Sequence, residues 1–236
     1  MLKLDCCRIT NGGFELSADL EVQTGARVAV IGPSGAGKTT LVEAIAGFTP
    51  VSEGRILCDG RDLTTEHPGK RPISMLFQDG NLFPHLSVAQ NVGLGIRPNL
   101  RLSAQEQARV SAAIDRVGLA GLSDRKPAAL SGGQQSRVAL ARVLVQRRAI
   151  LLLDEPFAAL GPALKTEMLD LVAELTQETG ATMLMVSHDP SDAQRIADHV
   201  ILVAEGHAHP PAPTEAFLND PPPALRAYLG EAFTAS

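Results

Sequence analysis

Apolar positions change their periodicity along the chain, and the change separates two kinds of strand. Residues 2–6 and 16–22 alternate between apolar and polar side chains on either side of the turn signal Asn11-Gly12-Gly13, which is typical of antiparallel strands. Later runs are apolar without alternation, as strands buried on both faces of a parallel sheet are. These runs cover residues 27–31, 73–77, 150–153, 182–186 and 200–203. We therefore predict an α/β fold with a parallel core sheet and an N-terminal antiparallel β subdomain.

Helical periodicity lies between the apolar runs. One helix is predicted over residues 38–46, where Gly47 ends it, and another over residues 162–179, where Gly180 ends it. Between residues 84 and 130 strand signals disappear and helical patterns dominate. This stretch is predicted to be a helical insertion subdomain within the βαβ winding.

A capping signal marks one helix of the insertion. Ser103 is followed three residues later by Glu106, and the two residues together form a capping box at the start of a helix predicted over residues 103–117.

We expect one domain over residues 1–236, which consists of a catalytic core, a helical subdomain and a short tail. The catalytic core covers about 1–83 and 131–206, the helical subdomain about 84–130, and a short tail 207–236. The tail is rich in proline and is predicted to be irregular apart from a helix near residues 224–229.

The composition argues against several classes of protein. A net charge of −5 offers no broad basic surface to nucleic acid, and 3% aromatic residues offer few platforms for base stacking. The three cysteines form neither a disulfide framework nor a C-x-x-C metal motif. No stretch approaches the roughly 18–20 consecutive apolar residues of a membrane-spanning helix. We expect no nucleic-acid partner and only a peripheral association with any membrane.

A glycine-rich segment between the first parallel strand and its helix satisfies the pattern G-x-x-x-x-G-K-[ST]. We call residues 32–39 the phosphate loop; its members are Gly32, Pro33, Ser34, Gly35, Ala36, Gly37, Lys38 and Thr39, and Thr40 follows them. Glycines let successive backbone N–H groups surround phosphate oxygens, and the helix N-terminus adds positive potential. Lys38 is expected to reach the β- and γ-phosphates of ATP, and the Thr39 hydroxyl to bind Mg²⁺.

Two carboxylates end the apolar run at residues 150–153. Strand ends in open α/β sheets present side chains to the ligand crevice, so Asp154 and Glu155 are expected there. Asp154 can hold Mg²⁺ through water. Glu155 can polarise the water that attacks the γ-phosphate in line.

Residues 130–134 read Leu-Ser-Gly-Gly-Gln, and we call them the signature segment. The segment resembles the signature motif of ATP-binding-cassette (ABC) ATPases, and the other motifs follow in that family's order up to about residue 202. The resemblance implies a P-loop NTPase core of the RecA-like kind. It also implies that Ser131, Gly132, Gly133 and Gln134 form a second cradle for the nucleotide, since exposed N–H groups at a helix start bind anions.

The same resemblance assigns two further residues and a homodimer. Gln78 matches the glutamine that senses the Mg²⁺ site and the permease, and His188 matches the switch histidine that contacts the γ-phosphate. In the family, two subunits bind head to tail. Each nucleotide then lies between the phosphate loop of one subunit and the signature segment of the other.

The chain departs from the family in two places. Residues 158–161 read Ala-Ala-Leu-Gly where the family usually has Ser-Ala-Leu-Asp, so coupling across the dimer is in question. No aromatic residue matches the usual adenine-stacking position. Phe14 is the nearest candidate, and an aromatic ring there serves either stacking or core packing.

Residues 71–95 and 184–188 are similar to the ATPase subunits of bacterial thiamine importers. The resemblance implies a peripheral subunit on the cytoplasmic face of the bacterial inner membrane, working with an integral permease and an extracytoplasmic solute-binding protein. Apolar residues near Leu82, Phe83 and Leu86 are expected to receive the permease.

Three other interpretations remain open at this point. The chain can be the ATPase subunit of an importer for another small solute such as iron(III), sulfate or a polyamine. It can be a soluble cassette acting on nucleic acid or the ribosome, although the chain has one cassette and no basic stripe. It can also bind ATP and hydrolyse it poorly, an option raised by Gly161.

Overall fold

A computed structural model describes residues 1–78, 80–221, 223 and 226. The N-terminal strands form an antiparallel layer: β1 (Leu2–Asn11), β2 (Phe14–Val22), β4 (Val51–Cys58) and β5 (Arg61–Asp62). Strands β1 and β2 pair from Leu2 opposite Val22 to Asn11 opposite Phe14. Gly12 and Gly13 between them both have positive φ, as a tight hairpin turn requires. The predicted antiparallel subdomain is therefore confirmed.

The core sheet is parallel, also as predicted. Its strands are β3 (Arg27–Ile31), β6 (Ile73–Leu76), β7 (Ile150–Asp154), β8 (Thr182–Val186) and β9 (His199–Ala204). They lie in the order β9-β3-β8-β7-β6, each parallel to its neighbour. A short strand β10 (His207–Ala208) pairs with β2 and with β9, so it joins the two layers into one sheet.

Helices cover both faces of this sheet. They are α1 (Lys38–Ala46), α2 (Val88–Gly93), α3 (Ala104–Arg116), α4 (Gly132–Leu144), α5 (Pro162–Thr179), α6 (Pro190–Ile196) and α7 (Thr214–Asn219). In β3, Val28 and Val30 join the core beside α1, whereas Ala29 and Ile31 join the core on the opposite face. Burial on both faces explains why these strands read as apolar runs without alternation.

The stretch between β6 and β7 is helical in its described residues. Helices α2, α3 and α4 pack together there, and the capping box of Ser103 and Glu106 begins α3 as predicted. Ser87 and Gln90 form a second capping box at the start of α2. In the described part of the chain, no helix combines the length and the apolar character that crossing a membrane requires.

The prediction of an irregular tail is wrong for residues 207–219. Strand β10 is followed by β11 (Ala212–Pro213), which pairs with β9, and then by α7. Thr214 anchors α7, because its hydroxyl donates to the Ala197 carbonyl at 2.8 Å and Phe217 is buried. Two-residue strands are too short to show a periodicity in sequence. The helix predicted over 224–229 lies outside the described residues apart from Arg226.

A buried guanidinium holds the far end of α1. Arg71 is 3% exposed and donates to the carbonyl oxygens of Ala44 (2.9 Å) and Ile45 (2.7 Å) in the last turn of the helix. It also donates to the carbonyls of Glu66 and Thr64. A cation at a helix C-terminus satisfies unpaired carbonyls and opposes the negative end of the dipole. This contact fixes the helix that follows the phosphate loop.

Candidate active site

The carboxyl ends of four parallel strands meet at one edge of the sheet, which we call the carboxyl edge. The register places Leu76 opposite Leu153, Asp154 opposite Val186, and Val186 opposite Val30. The residues that follow these positions therefore emerge side by side. They include the phosphate loop, Gln78, Glu155 and His188, which the sequence analysis singled out.

The phosphate loop connects β3 to α1 and has little space for side chains. A Cβ on Gly32 would lie 2.0 Å from the Val203 carbonyl oxygen, and one on Gly37 would lie 2.7 Å from the Phe14 ring. Gly35 and Gly37 have φ of +77° and +101°, a region that favours glycine. Ser34 and Gly35 are exposed at the tip, whereas Pro33, Ala36 and Thr40 are half-buried.

Lys38 turns back into this loop. Its side chain is buried, and Nζ donates to the carbonyl oxygens of Gly32 at 2.8 Å and Pro33 at 2.9 Å. Burial lowers the pKa of Lys38, against the opposing effect of the negative charges of Glu155 and Asp154. The ammonium is thus held by neutral carbonyls, which an anionic group can replace with a stronger, charge-assisted bond.

Thr39 and Asp154 place two oxygen atoms together beside the loop. The Thr39 hydroxyl donates to Oδ1 of Asp154 at 3.2 Å. Burial raises the pKa of Asp154, and the hydrogen bond from Thr39 opposes that rise. A partly buried carboxylate next to a hydroxyl is the oxygen donor set that Mg²⁺ prefers, and a cation would stabilise its charge. These residues fit such an ion.

Glu155 and His188 come together at the carboxyl edge. Oε2 of Glu155 lies 3.5 Å from Nδ1 of His188. Glu155 has φ of +45°, a conformation that is uncommon for residues other than glycine and recurs at functional sites. Its backbone N–H donates to the Val186 carbonyl at 3.2 Å, which holds the start of the turn against β8. The side chain of His188 is 55% exposed.

Gln78 is exposed in the turn after β6, level with Glu155 in the strand register. Arg142 of α4 holds this turn, since its guanidinium donates to the carbonyl oxygens of Gly80 (2.6 Å) and Asn81 (2.7 Å). Burial lowers the pKa of Arg142. The turn that carries Gln78 is therefore tied to the helix that follows the signature segment.

The signature segment begins α4. Ser131 is the N-cap: its Oγ accepts from the Gln134 N–H at 3.3 Å, and its own N–H donates to Oε1 of Gln134 at 3.0 Å. Gly132 is exposed, whereas a Cβ on Gly133 would lie 2.2 Å from the Leu164 side chain. None of the hydrogen bonds found for residues 1–78 and 80–221 joins this segment to the phosphate loop. The structure does not bring the two predicted cradles together within one chain.

Phe14 and the residues around His188 add to the predicted site. The Phe14 ring is half-buried and contacts Gly37, so it lies against the phosphate loop and also packs on the core. Lys165, Asp189 and Asp192 form an ion-pair cluster beside His188 that was not predicted from the sequence. The dipeptide Asp189-Pro190 is a helix-start signal and was the one local sign of this arrangement.

The fold and the carboxyl edge define an ABC-type ATPase. The model of the family described as "ABC transporter" matches residues 17–158, and the chain belongs to this family. It is a P-loop ATPase subunit whose ATP hydrolysis is coupled to transport across a membrane, and it binds ATP, as predicted.

Curated relatives are similar over almost the whole chain. One from Ruegeria sp. (strain TM1040), named "Thiamine import ATP-binding protein ThiQ", is 67% identical over 98% of this chain and 100% of its own length. A relative of the same name from Cereibacter sphaeroides is 63% identical over 98% of this chain and 100% of its own length.

Two solved structures share the fold. The ATP-binding cassette MJ0796, described as a dimeric post-hydrolysis state bound to ADP and Pi, is 28% identical with a TM-score of 0.77, covering 91% of this chain and 99% of its own. The cbiO1 protein of Clostridium perfringens, described as part of the transporter complex cbiONQ, is 31% identical with a TM-score of 0.81. The match covers 91% of this chain and 89% of the cbiO1 chain.

Gly161, the departure from the family pattern, is the N-cap of α5 and has no side chain to bond the first turn. Its φ of −65° and ψ of 156° suit any residue, and a Cβ there meets no atom within 4 Å.

We predict that Gly161→Asp raises the free energy of unfolding by a few tenths of a kcal/mol, because a carboxylate caps the helix. Gly161→Ala should lower it by about 0.5 kcal/mol. Urea unfolding measures both; an Asp variant less stable than the Ala variant would contradict this capping geometry.

Proposed function

We propose that this chain hydrolyses ATP to energise the import of thiamine, with thiamine phosphates as further cargo. One observation carries the proposal: relatives named as thiamine import ATP-binding proteins are 67% and 63% identical over almost the full chain. The carboxyl edge supports the ATPase assignment, because it brings together the phosphate loop with Lys38, the carboxylates of Asp154 and Glu155, and His188. The thiamine assignment rests on the relatives, since the solute is bound by other subunits.

Binding begins in the phosphate loop. Lys38 exchanges the Gly32 and Pro33 carbonyls for phosphate oxygens, while loop N–H groups surround the phosphates. Thr39 and Asp154 would hold Mg²⁺, and Gln78, which follows the neighbouring strand, would be a further oxygen ligand. Bound there, the ion would neutralise charge on the phosphate oxygens. Phe14 lies against the loop, where the nucleotide base or ribose can contact its ring.

Hydrolysis is the task of Glu155 and His188. The Glu155 carboxylate orients a water molecule and accepts its proton as the water oxygen attacks the γ-phosphorus, while the bond to the bridging oxygen breaks and ADP leaves with that oxygen. His188, with Nδ1 3.5 Å from Glu155, holds the carboxylate in place and donates to the γ-phosphate. This pair argues for an active ATPase and against one that only binds ATP.

The site becomes complete in a homodimer. The N–H groups of Gly132 and Gly133 and the Ser131 hydroxyl form an anion cradle at the start of α4 that the chain does not direct at its own phosphate loop. A second copy bound head to tail supplies it. Residues 1–83 with 131–206 then act as the catalytic core, and residues 84–130 as the helical subdomain that moves with the signature segment.

Two exposed aromatic side chains flank Gln78 and suit a permease contact. Phe48 is 55% exposed and its ring packs 5.6 Å from that of Phe77, the residue before Gln78. Phe83 is 46% exposed, and the fully buried Asn91 fixes its loop by accepting from the Phe83 N–H and donating to its carbonyl. Docking of a permease segment would bury both rings, which are otherwise exposed to water. The chain would lie peripherally on the cytoplasmic face of the bacterial inner membrane, beneath the permease, with a solute-binding protein on the other side.

Glu155→Gln tests the chemistry. The variant should bind Mg-ATP and form a stable dimer by light scattering, since the phosphate loop is intact. Its turnover should fall by about 100-fold or more, because an amide cannot accept the proton of the attacking water. Glu53→Gln is a matched control on an exposed strand position. Turnover near that of the wild type in Glu155→Gln would contradict the assignment.

Thiamine-dependent turnover tests the cargo. In right-side-out vesicles that contain ATP and this chain with its permease and binding protein, thiamine should stimulate ATP hydrolysis and accumulate in the lumen. Lys38→Ala should abolish both, because the cation facing the phosphates is lost. Iron(III), sulfate and a polyamine serve as control solutes. Stimulation by one of these solutes instead would contradict thiamine as the cargo but leave the role as a transport ATPase standing. Stimulation by no solute would contradict the role as an importer subunit.

A further inference from the structure

An ion-pair cluster joins the first turn of α5 to the segment that carries His188. Nζ of Lys165 lies 2.8 Å from Oδ2 of Asp189 and 2.6 Å from Oδ1 of Asp192. Ser187 completes the cluster, since its hydroxyl donates to Oδ2 of Asp192 at 2.5 Å. One lysine thus contacts two carboxylates, and a hydroxyl satisfies the remaining oxygen of the buried one.

The cluster holds His188 from both sides along the chain. Ser187, before the histidine, also accepts from the Asp189 N–H at 3.0 Å. Asp189, after it, is the N-cap of α6 and accepts from the Ser191 N–H at 3.0 Å and the Ser191 hydroxyl at 2.7 Å. Both backbone neighbours of His188 are therefore fixed, while its ring remains 55% exposed.

Burial distinguishes this cluster from ordinary surface ion pairs, which contribute about 0–1 kcal/mol. The side chains of Lys165 and Asp192 are only 19% and 9% exposed. Burial would raise the pKa of Asp189, but hydrogen bonds from Lys165 and Ser191 lower that pKa to about 2. The carboxylate and the ammonium are both charged near neutral pH, and they are partly shielded from water.

The first turn of α5 also touches the signature segment. Leu164, the neighbour of Lys165, packs where a Cβ on Gly133 would stand. One helical turn therefore contacts the second nucleotide cradle through Leu164 and the His188 segment through Lys165. Residues 158–161, the stretch in which the chain departs from the family pattern at Gly161, lie between Glu155 and this turn.

We propose that Lys165 is a positioning residue for hydrolysis, which sets the place of His188 against Glu155 and ties it to the start of α5. This rests on the proposed roles of His188 and Glu155. The effect of Lys165 passes through Asp189 and Asp192 to the backbone on either side of the histidine.

Lys165→Met tests the proposal, because methionine keeps much of the aliphatic stem and removes the charge. The variant should lower kcat for ATP by about tenfold and leave KM for ATP within about twofold, the pattern of an interaction needed in the transition state and not for binding. Lys165→Arg should restore most of kcat, since a guanidinium can also bridge two carboxylates. Arg195→Met is the matched control, because Arg195 forms an ion pair with Asp170 across the same two helices.

A double-mutant cycle separates positioning from a general loss of stability. If Lys165 acts through His188, adding Lys165→Met to His188→Ala should cause no further loss in single-turnover ATP hydrolysis. If Lys165→Met unfolds below the assay temperature, Asp189→Asn replaces it, since asparagine keeps the N-cap and removes the partner charge.

The outcomes are distinct from those for the proposed function. A wild-type kcat in Lys165→Met, equal losses with and without His188, or an equal loss in Arg195→Met would overturn the positioning role. Wild-type turnover in both Glu155→Gln and His188→Ala would instead overturn the proposed function itself. Loss in those two variants with normal Lys165→Met turnover would leave the ATPase assignment standing and remove only this inference.

Discussion

Parallel pairing of β3, β8, β7 and β6 is the constraint on which the site depends. Because each strand runs in the same direction as its neighbour, the segments after Ile31, Leu76, Asp154 and Val186 emerge at one edge. A shift of one residue in any pair would exchange the side chains that pack in the two cores and displace these segments relative to one another. The two cores on either side of the sheet hold that register.

Charge at the carboxyl edge is unbalanced in a way that suits a nucleotide with a metal ion. Two carboxylates, Asp154 and Glu155, lie near one buried ammonium, which is bonded to carbonyl oxygens of its own loop. The lowered pKa of Lys38 and the raised pKa of Asp154 have the same cause, burial of a charged group. A bound phosphate would stabilise the charge of Lys38, and a bound cation that of Asp154. Ligand binding therefore offsets the free-energy cost of burying these two charges.

Local patterns predicted the strands and most helices, and the glycine and carboxylate motifs placed the site residues in order. They could do so because buried strands, helix caps and phosphate loops each leave a signal within about ten residues. The short strands β10 and β11 leave no such signal. The contacts of Lys165 with Asp189 and Asp192 span 24 and 27 residues of chain and depend on how α5 and α6 pack. Neither the contact of Leu164 with Gly133 nor that of Arg142 with the Gln78 turn follows from sequence, because both arise only in the folded chain.

The central claim is that ATP joins the phosphate loop of one copy to the signature segment of another, and disulfide cross-linking tests it most directly. Two chains, one with Ser34→Cys and one with Gly132→Cys, would be mixed in a background of Glu155→Gln and Cys6→Ser, since Cys6 is exposed and Cys7 and Cys58 are buried. Both introduced positions are exposed, and a Cβ on Gly132 meets no atom within 4 Å. The account predicts a covalent dimer from the mixture when Mg-ATP is present and none from either chain alone. Absence of that dimer with Mg-ATP, or equal cross-linking within each single variant, would contradict it.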